Sequence, residues 1–147
     1  MTPMTTLHVL NGPNLDRLGK REPEIYGRTT LAEVEALCRE AATGATLVFR
    51  QTNYEGQLIE WIHEAIDTAA DGLVINPAGL SFRSIPLVDA LRMVSVPIIE
   101  LHISNIHRRD PLHQHSLVSG VATAVIAGLG ARGYATAIRS LREMIAG

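Results

Sequence analysis

An α/β fold on a five-stranded parallel sheet is predicted by three features of this 147-residue chain. Short apolar runs alternate with segments of helical period, the order expected when crossover helices join parallel strands. The runs are largely apolar along their whole length, as strands covered on both faces are. Five such units at this length fit a flavodoxin-like doubly wound sheet, and the size bounds a single domain over residues 1–147.

Residues 6–10 (TLHVL) read as the first strand, and they feed a long polar loop over residues 10–27 (LNGPNLDRLGKREPEIYG). Thr30 and Glu33 make a capping-box pattern that starts a helix with Leu31, Val34, Leu37 and Cys38 on one face. Residues 45–51 (ATLVFRQ) carry β-branched and aromatic side chains and read as the second strand. Leu58, Ile62, Ala65, Ile66 and Ala69 repeat at helical spacing and give a second helix. Residues 72–76 (GLVIN) are the third strand, followed by the loop PAGLSFRS and a short helix over 85–93. Residues 96–102 (VPIIELH) are the fourth strand, and a polar run over 103–116 follows. Residues 117–129 suit a helix or a strand, and 122–128 (ATAVIAG) are read as the fifth strand. A helix over 133–145 closes the chain, with Ile138, Leu141 and Ile145 inward.

Apolar residues at 46% with 19% charged residues describe an ordinary soluble protein. A net charge of −2 gives no electrostatic argument for nucleic acid or an anionic membrane. No apolar run approaches the roughly 20 residues that span a bilayer, and no basic start precedes an apolar run as in a secretory signal. The single Cys38 excludes an intramolecular disulfide and a Cys-based zinc cluster, which fits a reducing cytoplasm.

Ligands of doubly wound sheets bind beyond the strands' carboxyl ends, where the loops 11–27, 77–84 and 103–116 fall. The first, at about eighteen residues, exceeds the usual strand-to-helix connection, and such long loops commonly carry function. It has neither a GxGxxG nor a GxxxxGK[ST] pattern and does not run straight into a helix, so a nucleotide is not expected. His102, His107, His113 and His115 crowd one segment, yet none of their spacings matches a zinc-protease helix and no metal is expected. His107 and His115 read as solvated.

Glu100 and His102 stand two apart at a strand end, so both side chains project to one face. A carboxylate beside an imidazole orients the ring and favours its protonated form, which makes His102 a candidate general acid. A structural ion pair accounts for the same two residues. Tyr26 is the candidate base. A phenol titrates near pH 10 when unperturbed and needs a nearby cation to ionise at neutral pH, and Arg21 in the same loop can supply it. A ring packed under the loop is the plainer account of Tyr26. No Ser-His-Asp or Cys-His constellation stands out, so covalent catalysis has little support.

The segments LNGPNLDRLGKREPEIYG, QTNYEGQLIEWIHEA, NPAGL, ELHISNIH and GLGARGYATAI together resemble the type II 3-dehydroquinate dehydratases of the shikimate and quinate pathways, nearly end to end. The resemblance implies a flavodoxin-like fold and a trans elimination, through an enolate, that converts 3-dehydroquinate to 3-dehydroshikimate. It implies no metal or organic cofactor, a cyclic polyhydroxy keto acid as substrate, and a dodecamer of four trimers. It assigns Tyr26 as the base that takes the proton alpha to the ketone, Arg21 as the cation beside it, and Asn14 as holder of a water that supports the enolate oxygen. His102, oriented by Glu100, would protonate the departing hydroxyl. Backbone amides of Ile103 and Ser104 would hold the substrate carboxylate, Asn76 would lie near the C1 hydroxyl, and Asp89 would reach the site of a neighbouring subunit. Residues 21–26 would form a lid, as their Pro and charge content suits.

The chain departs at two places from the family pattern, which has His-Thr where it has Phe82–Arg83 and Arg where it has His113. Phe82 cannot donate a hydrogen bond, and His113 lacks the fixed fork of an Arg. Arg83 or Arg108 offers a replacement donor for the ring hydroxyls. The departures leave two other readings open, a paralogue acting on a C4- or C5-modified dehydroquinate and a non-catalytic binding module. The second sits badly with the presence of Tyr26, Arg21, Asn14, Glu100 and His102.

Overall fold

The computed structural model describes residues 4–147 and contains one sheet of five parallel strands in the order β2-β1-β3-β4-β5. Residues 1–3, at the start of the stretch scanned for an export signal, lie outside the described residues. The strands are β1 (Thr6–Asn11), β2 (Thr46–Gln51), β3 (Gly72–Asn76), β4 (Ile98–His102) and β5 (Ala124–Ala127). The helices are α1 (Pro23–Tyr26), α2 (Leu31–Ala41), α3 (Glu55–Asp67), α4 (Ile85–Leu91) and α5 (Arg132–Ala146). This is the doubly wound sheet that the alternating pattern predicts. Among the described residues no helix is long and apolar enough to cross a membrane.

Sheet burial follows from coverage on both faces. All five residues of β3 and all five of β4 are buried. Leu7, Val9, Val74 and Ile99 face α2 and α5, where they meet Val34, Ile138 and Leu141. Leu10, Leu73 and Ile75 face α3 and α4, where they meet Leu58, Ile62 and Leu87. The capping box at α2 is formed: Thr30 Oγ1 accepts from the Glu33 amide at 3.2 Å, and the Glu33 carboxylate accepts from the Thr30 amide at 3.2 Å.

Element ends differ from the sequence pattern where the backbone has its own requirements. β4 begins at Ile98 rather than at residue 96, because Pro97 has no amide hydrogen for the ladder, although its carbonyl still accepts from Leu73 at 3.0 Å. α3 stops at Asp67, and Ala69, which fits the helical spacing, turns instead through a left-handed φ of 56° toward β3. α4 stops at Leu91, short of residue 93. Residues 117–129 divide between the two alternatives, with a 3-10 turn at Val118–Gly120 and β5 paired to β4 from Ile99↔Ala124 to His102↔Ala127. The long first loop is not irregular throughout, since it holds a 3-10 turn at Leu15–Arg17 and the single turn of α1.

The strand order sets the position of the crevice. From β1 the chain steps outward to β2, then returns past β1 to β3 and continues to β5. The loops after β1 and β3 therefore part at the carboxyl edge, and the loop after β4 closes the third side.

Candidate active site

A cavity opens at that edge, lined by Asn14, Arg21 and Tyr26 from the first loop and by Asn76, Ala78 and Phe82 beyond β3. His102, Ile103, Ser104, Arg109 and His113 complete it from the end of β4. The three loops predicted to converge do so. Three residues singled out in the sequence stand elsewhere: Arg83, Asp89 and Arg108 are exposed and do not line this cavity.

The floor is a buried polar network. Tyr134 from α5, fully buried, donates its hydroxyl to Asn11 Oδ1 at 2.7 Å and accepts from Asn76 Nδ2 at 2.8 Å. Asn11 Nδ2 donates to the Arg50 carbonyl at 3.0 Å, and Asn76 Oδ1 accepts from the Ala78 amide at 3.2 Å. Burial pushes the Tyr134 phenol above its ordinary range, so it serves as a neutral donor and acceptor. At the edge of this floor the Gly12 amide donates to the Asn76 carbonyl at 2.8 Å. A Cβ at Gly12 would fall 2.6 Å from the Pro77 carbonyl oxygen, so only glycine lets the two loops approach this closely. Tyr134 does not stand out in the sequence; its one signal is a phenol placed among the small residues of an inward helix face, where a hydroxyl needs a partner.

On one flank the first loop is held in a strained shape. Asn14 and Glu22 adopt left-handed φ of 71° and 37°, and Ala78 across the cavity adopts 52°. Non-glycine residues in this region are uncommon and concentrate where surrounding contacts enforce them. For Asn14 the enforcing contact is Asn53, whose Oδ1 accepts the Asn14 amide at 2.8 Å and is itself held by Gln51 Nε2 at 3.1 Å. Tyr26 is half-buried at the end of α1. The Arg21 guanidinium stands 4.5 Å from its ring centre and that of Arg109 5.3 Å away. Arg21 also pairs with Glu22 at 3.2 Å.

Arg109 does not stand out in the sequence, where Arg83 or Arg108 is the replacement donor expected for the ring hydroxyls; of the three only Arg109 lines the cavity. Arg108 lies instead in a neighbouring groove with Asn105 and Gly128, outside the cavity. The pair is adjacent in a 3-10 turn, Ile106–Arg108, and its closing residue. Which of two consecutive arginines faces inward depends on the rotation of that turn, which no periodicity in a loop reveals.

On the opposite flank Glu100 is wholly inaccessible and His102 nearly so. Glu100 Oε2 pairs with His102 Nε2, and Glu100 Oε1 accepts from Ser119 Oγ at 2.6 Å. Burial raises the Glu100 carboxyl, but the hydrogen bonds from His102 and Ser119 outweigh it and hold the group below its ordinary range. The ring of Phe82 stacks on His102 at 6.2 Å and 26°, and meets His113 edge-on at 5.3 Å and 79°. His113 Nδ1 lies 2.9 Å from both Asp110 carboxylate oxygens.

Chemically, the cavity sets a phenol under two guanidinium groups across from an imidazole backed by a buried carboxylate. A group that can carry negative charge faces one that can carry a proton, the arrangement needed to remove a proton at one carbon and protonate a leaving group at another.

The family model for dehydroquinase class II matches residues 5–142. A 3-dehydroquinate dehydratase of Methylobacterium radiotolerans is 55% identical over 144 residues, which are 97% of this chain and 96% of that protein. The 3-dehydroquinate dehydratase 2 of Ralstonia nicotianae is 51% identical over 144 residues, 94% of each chain. Among solved structures, a type II dehydroquinase from Propionibacterium acnes superposes with a TM-score of 0.91 at 44% identity, covering 97% of this chain and 99% of that one.

Proposed function

The chain belongs to the class II dehydroquinase family, and from that premise we propose how its own residues dehydrate 3-dehydroquinate to 3-dehydroshikimate, a step of the shikimate pathway. Tyr26, as phenolate, takes the proton alpha to the substrate ketone. The guanidinium groups of Arg21 and Arg109 stand at its ring, opposite in sign to the phenolate. The electron pair left on carbon moves onto the ketone oxygen, and the enolate that results needs a hydrogen-bond donor in place beforehand. Asn14, pinned by Asn53, holds the water that supplies it.

The enolate then collapses. Its electrons form the ring double bond, the C–O bond to the hydroxyl breaks, and His102 gives its proton so that water leaves. Glu100 keeps the imidazole oriented before that transfer. The proton on Tyr26 passes to solvent and His102 is reprotonated, which closes the cycle. Ile103 and Ser104 hold the substrate carboxylate through their backbone amides, and Asn76, braced by Tyr134, lies at the C1 hydroxyl. Residues 21–26 act as the lid.

Asp89, exposed and outside its own cavity, serves the site of a neighbouring subunit in an assembly of four trimers. The readings of a modified substrate or a non-catalytic module gain no support from relatives of about half identity that are named 3-dehydroquinate dehydratase. The observation that carries the mechanism is the cavity shared by Tyr26, its two arginines and His102, with Glu100 paired to His102 from behind the wall. Ultraviolet absorbance of the conjugated enone formed from 3-dehydroquinate tests it. The wild type should give the signal and Tyr26→Phe should not; a Tyr26→Phe protein of near-normal activity would rule this base out.

A further inference from the structure

The cavity carries two carboxylate–imidazole pairs, one on each side of Phe82. Glu100–His102 is buried and serves the acid. Asp110–His113 sits at the rim, three residues apart across the 3-10 turn Pro111–His113, and the mechanism leaves it unused.

We propose that Asp110 is a positioning residue for substrate binding, which fixes the His113 ring so that Nε2 is offered to a hydroxyl of the substrate ring. The proposal rests on the dehydratase reading above. Both Asp110 oxygens lie 2.9 Å from His113 Nδ1. A carboxylate only accepts, so Nδ1 carries the hydrogen, and Nε2 is the ring's remaining polar atom. The His113 hydrogen bond holds the Asp110 carboxyl below its ordinary range, so the acceptor stays charged at neutral pH. The edge-on contact with Phe82 fixes the ring plane from the cavity side.

With Nδ1–H committed, Nε2 donates when the ring is protonated and accepts when it is neutral. A hydroxyl both donates and accepts, so it pairs with either form, whereas a ketone or carboxylate oxygen pairs with the protonated form alone. The other charged or titratable side chains on this cavity are Arg21, Tyr26, His102 and Arg109. In the mechanism these serve proton transfer, which leaves His113 to read the hydroxylated side of the ring.

Asp110 has a second contact that any test must separate: its Oδ1 accepts the Leu112 amide at 3.1 Å and caps the turn. Asp110→Ser keeps the cap, since serine is a good capping residue, but ends too short to hold His113. Asp110→Asn keeps both the cap and an oxygen for Nδ1–H. Steady-state kinetics on 3-dehydroquinate should show Asp110→Ser raising KM ~3- to 10-fold, with kcat changed less than about twofold. Asp110→Asn should stay near the wild-type KM. His113→Ala should raise KM at least as much as Asp110→Ser, and the double variant no more than His113→Ala alone. An unchanged KM in Asp110→Ser, additive effects in the double variant, or an Asp110→Asn as impaired as Asp110→Ser would each overturn the positioning role while leaving the activity intact. A wild type that neither bound nor converted 3-dehydroquinate would overturn the activity itself and this inference with it.

Discussion

In the proposed mechanism Tyr26 and His102 divide one elimination between them, and each has a charged neighbour, Arg21 and Arg109 at the phenol ring and Glu100 at the imidazole. Removing His102 as His102→Ala should lower kcat by roughly 10²–10⁴-fold with native folding retained, checked by turnover beside circular dichroism. Arg109→Leu takes one of two cations from the Tyr26 ring and should lower kcat/KM on 3-dehydroquinate. An unchanged kcat/KM would show Arg21 alone to be sufficient. At this scale the sequence is legible where chemistry depends on near neighbours. Glu100 and His102 share a strand face because they are two apart, and Arg21 lies near Tyr26 because both lie in one short stretch of loop. Arg109 and Tyr134 are not legible, since their partners arrive from other elements through tertiary packing.

Elements were legible in proportion to how far their pattern alone decides them. β3 has the predicted bounds because an all-apolar run ends at a polar Asn76. The capping box places the start of α2 correctly, and Thr30→Ala should cost ~1 kcal/mol, read from the urea midpoint, with little effect on turnover. The start of β4 and the end of α3 were missed, because a proline without an amide hydrogen and an alanine in a left-handed turn override periodicity. Gly12 is the element-scale position with the sharpest expected effect. Gly12→Ala should impair both stability and turnover, since its methyl would meet the Pro77 carbonyl at 2.6 Å and push the first loop from the loop after β3. A Gly12→Ala protein with native midpoint and rate would show that those loops can part without harm.

For the molecule as a whole, acid should act in two stages. His8 on β1 is 2% exposed with Nδ1 unpartnered, and burial, helped by the Arg50 charge, pushes it below its ordinary value of 6.5. The folded state therefore takes that proton less readily than the unfolded chain. Its contribution to stability is complete above about 6.5 and is lost as pH falls from there toward the depressed value. Glu100 acts lower. Its carboxyl is held below the ordinary 4.5, so its contribution is complete above that value and is lost as pH falls through the depressed one. Urea midpoints measured against pH should show both stages, and His8→Leu should abolish the upper one only. The doubly wound topology was legible from alternation alone, whereas the closure of the cavity floor by α5 was not, because it joins Asn11 to a residue 123 positions later. That span has a consequence for protein synthesis. Tyr26 is made early, but the polar floor of the cavity is completed only when Tyr134 has been translated and folded back against the sheet. A polypeptide stalled on the ribosome before that point would carry Tyr26 and His102 but would lack the Tyr134 bonds that join Asn11 to Asn76.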